Sequence, residues 1–160
     1  MSPEIPTIKL NNGKSIQAVG LGTYKLKHMT EEIVGAAIDA GYRLIDTSPV
    51  YNDNEVAVGR AIRSRIQGRV IKREDLFVVS KLWNTHHSKG EVVTACETSL
   101  RFLSIDYIDL YLINWPFGVK TRTRDNFKKQ EFHTFDTTTL EDVWRQMESC
   151  VTRGLVRSIG

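Results

Sequence analysis

Four side chains in this sequence could together move a proton: Asp46, Tyr51, Lys81 and Asn114. A phenol has a pKa near 10, so alone it is a poor acid or base at neutral pH. An ammonium beside it stabilises the phenolate, and a carboxylate keeps that ammonium charged and in position. The trio makes a tuned proton donor, suited to the alkoxide formed when hydride attacks a carbonyl. Asn114 adds an amide, which cannot titrate near pH 7.

Such groups need elements that bring them to one place. Asp46 ends the strand pattern Tyr42–Asp46, Lys81 ends the apolar run Leu76–Lys81, and Asn114 ends Tyr107–Asn114. Tyr51 follows Asp46 by five residues, in the turn before a helix. Helical patterns separate these strands. One is entered at Thr30 as N-cap and left at Gly41; the next runs from Asn54 to Ile66. A third spans Ser88 to Leu103, with Ser88 and Glu91 as a capping box and Val93, Cys96, Leu100 and Leu103 as its apolar stripe. A fourth opens at a second capping box, Thr138 and Glu141, and stops at Gly154. The chain begins with a hairpin turning at Asn12-Gly13, continues through a short strand at Gly20–Tyr24, and closes on a fifth strand, Leu155–Gly160. Strict βαβα alternation implies a parallel sheet with right-handed crossovers. In such sheets sites form at the carboxyl ends of the strands, where these polar groups fall.

With 160 residues the chain suits about one domain, and it is shorter than the roughly 250 residues of a full (β/α)₈ barrel. Net charge is +3 and neither half is strongly basic, so nucleic-acid binding has no compositional support. No apolar run approaches the roughly 20 residues of a membrane span. The N-terminus MSPEIPTIKL resembles neither a signal nor a transit peptide. Two widely spaced cysteines make no disulfide framework and fit a reducing compartment. The expectation is a soluble protein of the cytosol.

The stretches Asp46-Thr-Ser-Pro-Val-Tyr51-Asn-Asp-Asn54-Glu55-Val-Ala-Val-Gly59, Val79-Ser-Lys81-Leu-Trp83 and Asp109-Leu-Tyr-Leu-Ile-Asn114-Trp115-Pro116 resemble the aldo-keto reductases. The hairpin and Gly20-Leu-Gly-Thr-Tyr24 are similar as well, so the resemblance runs the length of the chain. It implies a partial (β/α)₈ TIM barrel, with the N-terminal hairpin on its floor, about four β/α units and a fifth strand. Residues 1–160 would form one incomplete barrel domain. The implied activity is NADPH-dependent reduction of aldehydes or ketones to alcohols, and members are mostly monomeric. Asp46 would support Lys81, Lys81 would lower the pKa of Tyr51, and Tyr51 would give the proton. Gly22, Thr23 and Asp46 would lie near NADPH, and Tyr24, Val50, Trp83 and Trp115 would line the pocket for a small-molecule carbonyl substrate.

Two features depart from the family pattern. Asn114 stands where members usually carry histidine, which implies slower turnover. The sequence also ends at Gly160, before a Ser-Asn-Phe stretch that holds the nicotinamide amide and before the basic segment for the 2′-phosphate. A product ending there would bind NADPH weakly. Open strand edges would invite self-association, so the alternative function is a catalytically impaired half-barrel acting only through itself or a partner.

The remaining features have blander readings. Gly20 and Gly22 lack the third glycine of a dinucleotide fingerprint, because Lys25 stands in its place, and read as close backbone packing. His86 and His87 are adjacent, the wrong spacing for a metal pair. The basic run of Lys120, Arg122, Arg124, Lys128 and Lys129 reads as a solvated part of a long polar loop, 116–136. Cys96 and Cys150 sit on apolar stripes and read as core.

Overall fold

The computed structural model describes residues 5–51, 54–120 and 134–160. The first strands, β1 (Thr7–Lys9) and β2 (Ser15–Gln17), pair antiparallel as a hairpin whose turn places Gly13 at φ 82°. That left-handed angle is why glycine follows asparagine there. Then come β3 (Leu21–Gly22), α1 (Thr30–Asp39), β4 (Leu44–Asp46), α2 (Asn54–Gln67) and β5 (Phe77–Leu82). They are followed by α3 (Glu91–Leu103), β6 (Ile108–Ile113), a small antiparallel pair β7 (Val119–Lys120) and β8 (Thr134–Phe135), α4 (Leu140–Thr152) and β9 (Val156–Ile159).

Five strands form one sheet in the order β3-β4-β5-β6-β9, every neighbour parallel. This is the alternation expected from the sequence, and it is a segment of an α/β barrel wall. The register separates two faces, because side chains alternate along a strand. Ile45, Val78, Leu82 and Tyr111 point to the helices and are fully buried with Val34, Ile38, Val58, Ile62, Leu103 and Met147. Ser80 lies on the same buried face and donates to Glu55 of α2 at 2.7 Å. The other face carries Asp46, Val79, Lys81, Leu110 and Leu112, and Asp46, Lys81 and both leucines are only half-buried. The hairpin reaches β9 on this face: Asn12 Nδ2 donates to the Ser158 hydroxyl at 2.8 Å and to Arg157 O at 3.1 Å.

Local signals misplace three helix starts. Thr30 is the first helical residue of α1 rather than its cap; its hydroxyl bonds Lys27 O and Asn54 instead. The Ser88–Glu91 capping box does not form: α3 starts at Glu91 after Gly90 at φ 85°, and Ser88 donates to Asp136, 48 residues away. On α4 the cap is Thr139, not Thr138, and it accepts from Asp142 N at 3.1 Å. The buried stripe of α3 is led by Val92, with Val93 only partly covered. In each case a hydroxyl that could have capped locally finds a partner elsewhere or yields to its neighbour.

The loop predicted over 116–136 contains the β7–β8 pair, and Arg122, Arg124, Lys128 and Lys129 of the basic run lie outside the described residues. Gly20 packs as expected, since a Cβ there would stand 2.5 Å from the Leu44 side chain; Gly22 does not, with nothing within 4 Å. Cys96 and Cys150 are fully buried, and the neighbouring Cys150 thiol and then burial push the Cys96 thiol well up. Among the described residues no helix is long and apolar enough to cross a membrane, and no group of three metal-ligating side chains occurs.

Candidate active site

Parallel register builds the centre of the site. Asp46 is paired with Val79, which puts Lys81 one pleat further on the adjacent strand and on the same face. One strand spacing and one pleat are about 5 and 7 Å, a gap that a lysine stem can span. Lys81 Nζ donates to Asp46 Oδ1 at 2.5 Å and to Thr47 O at 3.1 Å. The lysine side chain is 14% exposed and the aspartate 37%, so the ion pair is partly shielded yet open on one side.

Tyr51 arrives by a turn. The ladder continues past β4 with Thr47 N on Val79 O, and then Tyr51 N bonds back to Ser48 O at 3.1 Å. Pro49 occupies the second position of that four-residue turn, where its fixed φ is pre-set. The turn brings Tyr51 to the rim, with the Lys81 ammonium 5.3 Å from its ring centroid. The Tyr24 ring packs against it, centroids 5.0 Å apart at 55°.

The remaining residues take these places. Asn114 is half-buried just past β6, and its N–H bonds Leu82 O at 3.1 Å. Gly22 is exposed beside Asp46, its pairing partner in the register. Thr23 is fully buried, and both its N–H and its hydroxyl donate to the Asp46 carbonyl, at 3.0 and 2.9 Å. Val50 is half-buried within the turn. Trp83 lines a small cavity with Pro49, His86, Ser99 and Tyr111. Trp115 is 49% exposed and stands with Phe117 and Phe135 in a chain of rings 6.0 and 5.8 Å apart.

The structure puts Lys81 on Asp46 and beside the Tyr51 ring, with the ammonium's hydrogen bonds going to Asp46 and Thr47 O rather than to the Tyr51 hydroxyl, and sequence reasoning misses what surrounds them. The Tyr24–Tyr51 contact, the Phe117–Phe135 pairing and the bond of Lys81 to Thr47 O join segments far apart in the chain. Beside the rim, His87 is buried under Gly118, and burial holds its pKa below the usual histidine range despite the attraction of Asp136. Asp136 itself is held at about 2: burial opposes this, but bonds from Ser88 and Thr138 and the charge of Lys120 prevail.

Residues 18–160 match the model of the Aldo/keto reductase family. The chain is 42% identical over its full length to aldo-keto reductase family 1 member C18 of Rattus norvegicus, and 40% identical to member C4 of Homo sapiens. In both cases 100% of this chain aligns with 51% of the relative, so it spans about half the length of the curated relatives it matches. A Bombyx mori aldo-keto reductase solved in complex with NADP superposes with a TM-score of 0.86 at 38% identity, over 99% of this chain and 50% of that one. The chain belongs to the aldo-keto reductase family.

Proposed function

We propose that this chain carries the proton-donor side of an NADPH-dependent reductase that converts aldehydes or ketones to alcohols. The observation that carries the reading is the Lys81 ammonium, 2.5 Å from Asp46 and beside the Tyr51 ring. Tyr51 gives its phenolic proton to the oxygen of the reduced carbonyl. The ammonium stabilises the phenolate left behind, and Asp46 and Thr47 O fix the ammonium. The half-buried amide of Asn114 donates to the same oxygen and orients it, without the titration that a histidine would add.

The residues present fit a dinucleotide at this rim. Gly22 leaves open space where a side chain would stand, and Asp46 keeps part of its carboxylate exposed. Gly22 and Asp46 would hold the cofactor edge, with Thr23 fixing the Asp46 main chain. When bound, NADPH supplies the hydride. Tyr24, Val50, Trp83 and Trp115 would form the substrate walls, and three aromatic rings among them favour a carbonyl with an apolar or aromatic substituent.

Carbonyl-dependent loss of NADPH absorbance tests this. Tyr51→Phe should slow it by about 10²–10⁴, the usual worth of a positioned acid. An unchanged rate would remove Tyr51 from the reaction. Asn114→His should raise kcat, and no gain would leave the asparagine outside the chemistry.

A further inference from the structure

We infer that Asn54 is a positioning residue that clamps both ends of the loop 23–30 and so sets Tyr24 against Tyr51. This rests on the proposed function of Tyr51. Asn54 is 2% exposed and opens α2, three residues after Tyr51. Its Nδ2 donates to Thr23 O at 2.5 Å, and its Oδ1 lies 2.9 Å from the Thr30 hydroxyl. A carbonyl oxygen can only accept, so Thr23 O fixes which way the amide faces. The Thr30 hydroxyl shares its one proton between Asn54 Oδ1 and Lys27 O, which is 2.7 Å away.

One amide thus joins the first and last residues of a loop whose interior is backbone-strained. Lys25 and Lys27 adopt φ of 63° and 57°, a left-handed conformation that residues with a Cβ seldom take. Strain of this kind persists only where surrounding contacts over-determine it. Thr23 and Thr30 are both fully buried, while Tyr24, Lys25 and Lys27 are exposed. The clamp also runs on to the ion pair. Thr23 gives two bonds to the Asp46 carbonyl, so Asn54 connects the segment bearing Tyr51 with the residue that holds Lys81.

Lys25 and Lys27 make the clamp measurable, because trypsin cuts after each. Asn54→Ala should speed cleavage at these two sites about tenfold well below the melting temperature, with cleavage at other lysines and arginines within about twofold. It should also abolish the ring-current shifts that Tyr24 and Tyr51 impose on each other in NMR spectra. Thr30→Ser, which keeps the hydroxyl, should change neither. In turnover, Asn54→Ala should raise KM for the carbonyl more than it lowers kcat. Cleavage rising equally at all sites, or at none, would overturn the clamp. So would intact ring-current shifts. Absence of turnover in the parent chain would instead count against the proposed function, and the proteolysis and NMR results would still decide the role of Asn54.

Discussion

The two faces of the five-stranded sheet are made by alternate residues of the same strands, yet they differ in burial and in chemistry. On the helix side Ile45, Val78, Leu82 and Tyr111 have no exposed surface, and the polar Ser80 is bonded to Glu55. On the other side Asp46, Lys81, Leu110 and Leu112 stay half-buried, and the Asp46–Lys81 pair sits at the rim. The first face supplies the apolar burial that holds the fold. The second carries the Asp46–Lys81 pair, whose ammonium is also held by Thr47 O. The proposed chemistry and the stability of the fold would therefore be separable within one strand, where Lys81 and Leu82, adjacent in β5, lie on opposite faces.

The sharpest way to break this contrast is to change those neighbours one at a time. Lys81→Met should lower carbonyl turnover by about 10²–10⁴ and shift the melting temperature by only a few degrees. Leu82→Ala should cost about 2–5 kcal/mol in denaturant unfolding, with turnover per folded molecule nearly unchanged. Equal losses of stability from both would mean the faces are not distinct. Gly59→Ala probes the helix side without touching the sheet. A Cβ there would meet Leu103 O at 2.2 Å, where α2 and α3 cross, so overpacking should cost about 1–3 kcal/mol. A wild-type melting temperature for that variant would show that the helices can move apart freely.

Acid should act last and least, and at the rim. Burial holds the His87 pKa below its ordinary value, so its contribution to stability is complete above the unfolded pKa, about 6.5, and fades as the pH falls below it. Asp136 is also depressed, to about 2, so its contribution is complete above about 4 and is lost as the pH drops through 2. The melting temperature should fall in two stages on acidification. Asp136→Asn should flatten the lower one, and an identical profile in that variant would exclude the aspartate.

Much of this was legible in the residues because the signals are local. Apolar runs of strand length, helical stripes such as Val58 and Ile62, and Gly41 after α1 at φ 102° each report on a few neighbours. The strand-end positions of Asp46 and Lys81 followed from the same periodicities, and parallel pairing then had to bring them together. The hydroxyls were not legible in this way. Thr30, Ser88 and Thr138 each fit a local capping pattern, but Thr30 and Ser88 found partners 24 and 48 residues away. A capping bond is worth about 1 kcal/mol, so an acceptor that the fold brings near can displace it.

By itself, then, the amino-acid order determined the βα alternation, the parallel sheet and the rim on which an acid, an amine and a phenol would meet. Only the tertiary structure decided that Asn54 ties the loop 23–30 at both ends, that Tyr24 lies on Tyr51, and that Asp136 reaches Ser88. Periodicity is a property of neighbours in the chain. A hydrogen bond between buried polar groups depends on which distant segments the packed core has already brought within 3 Å.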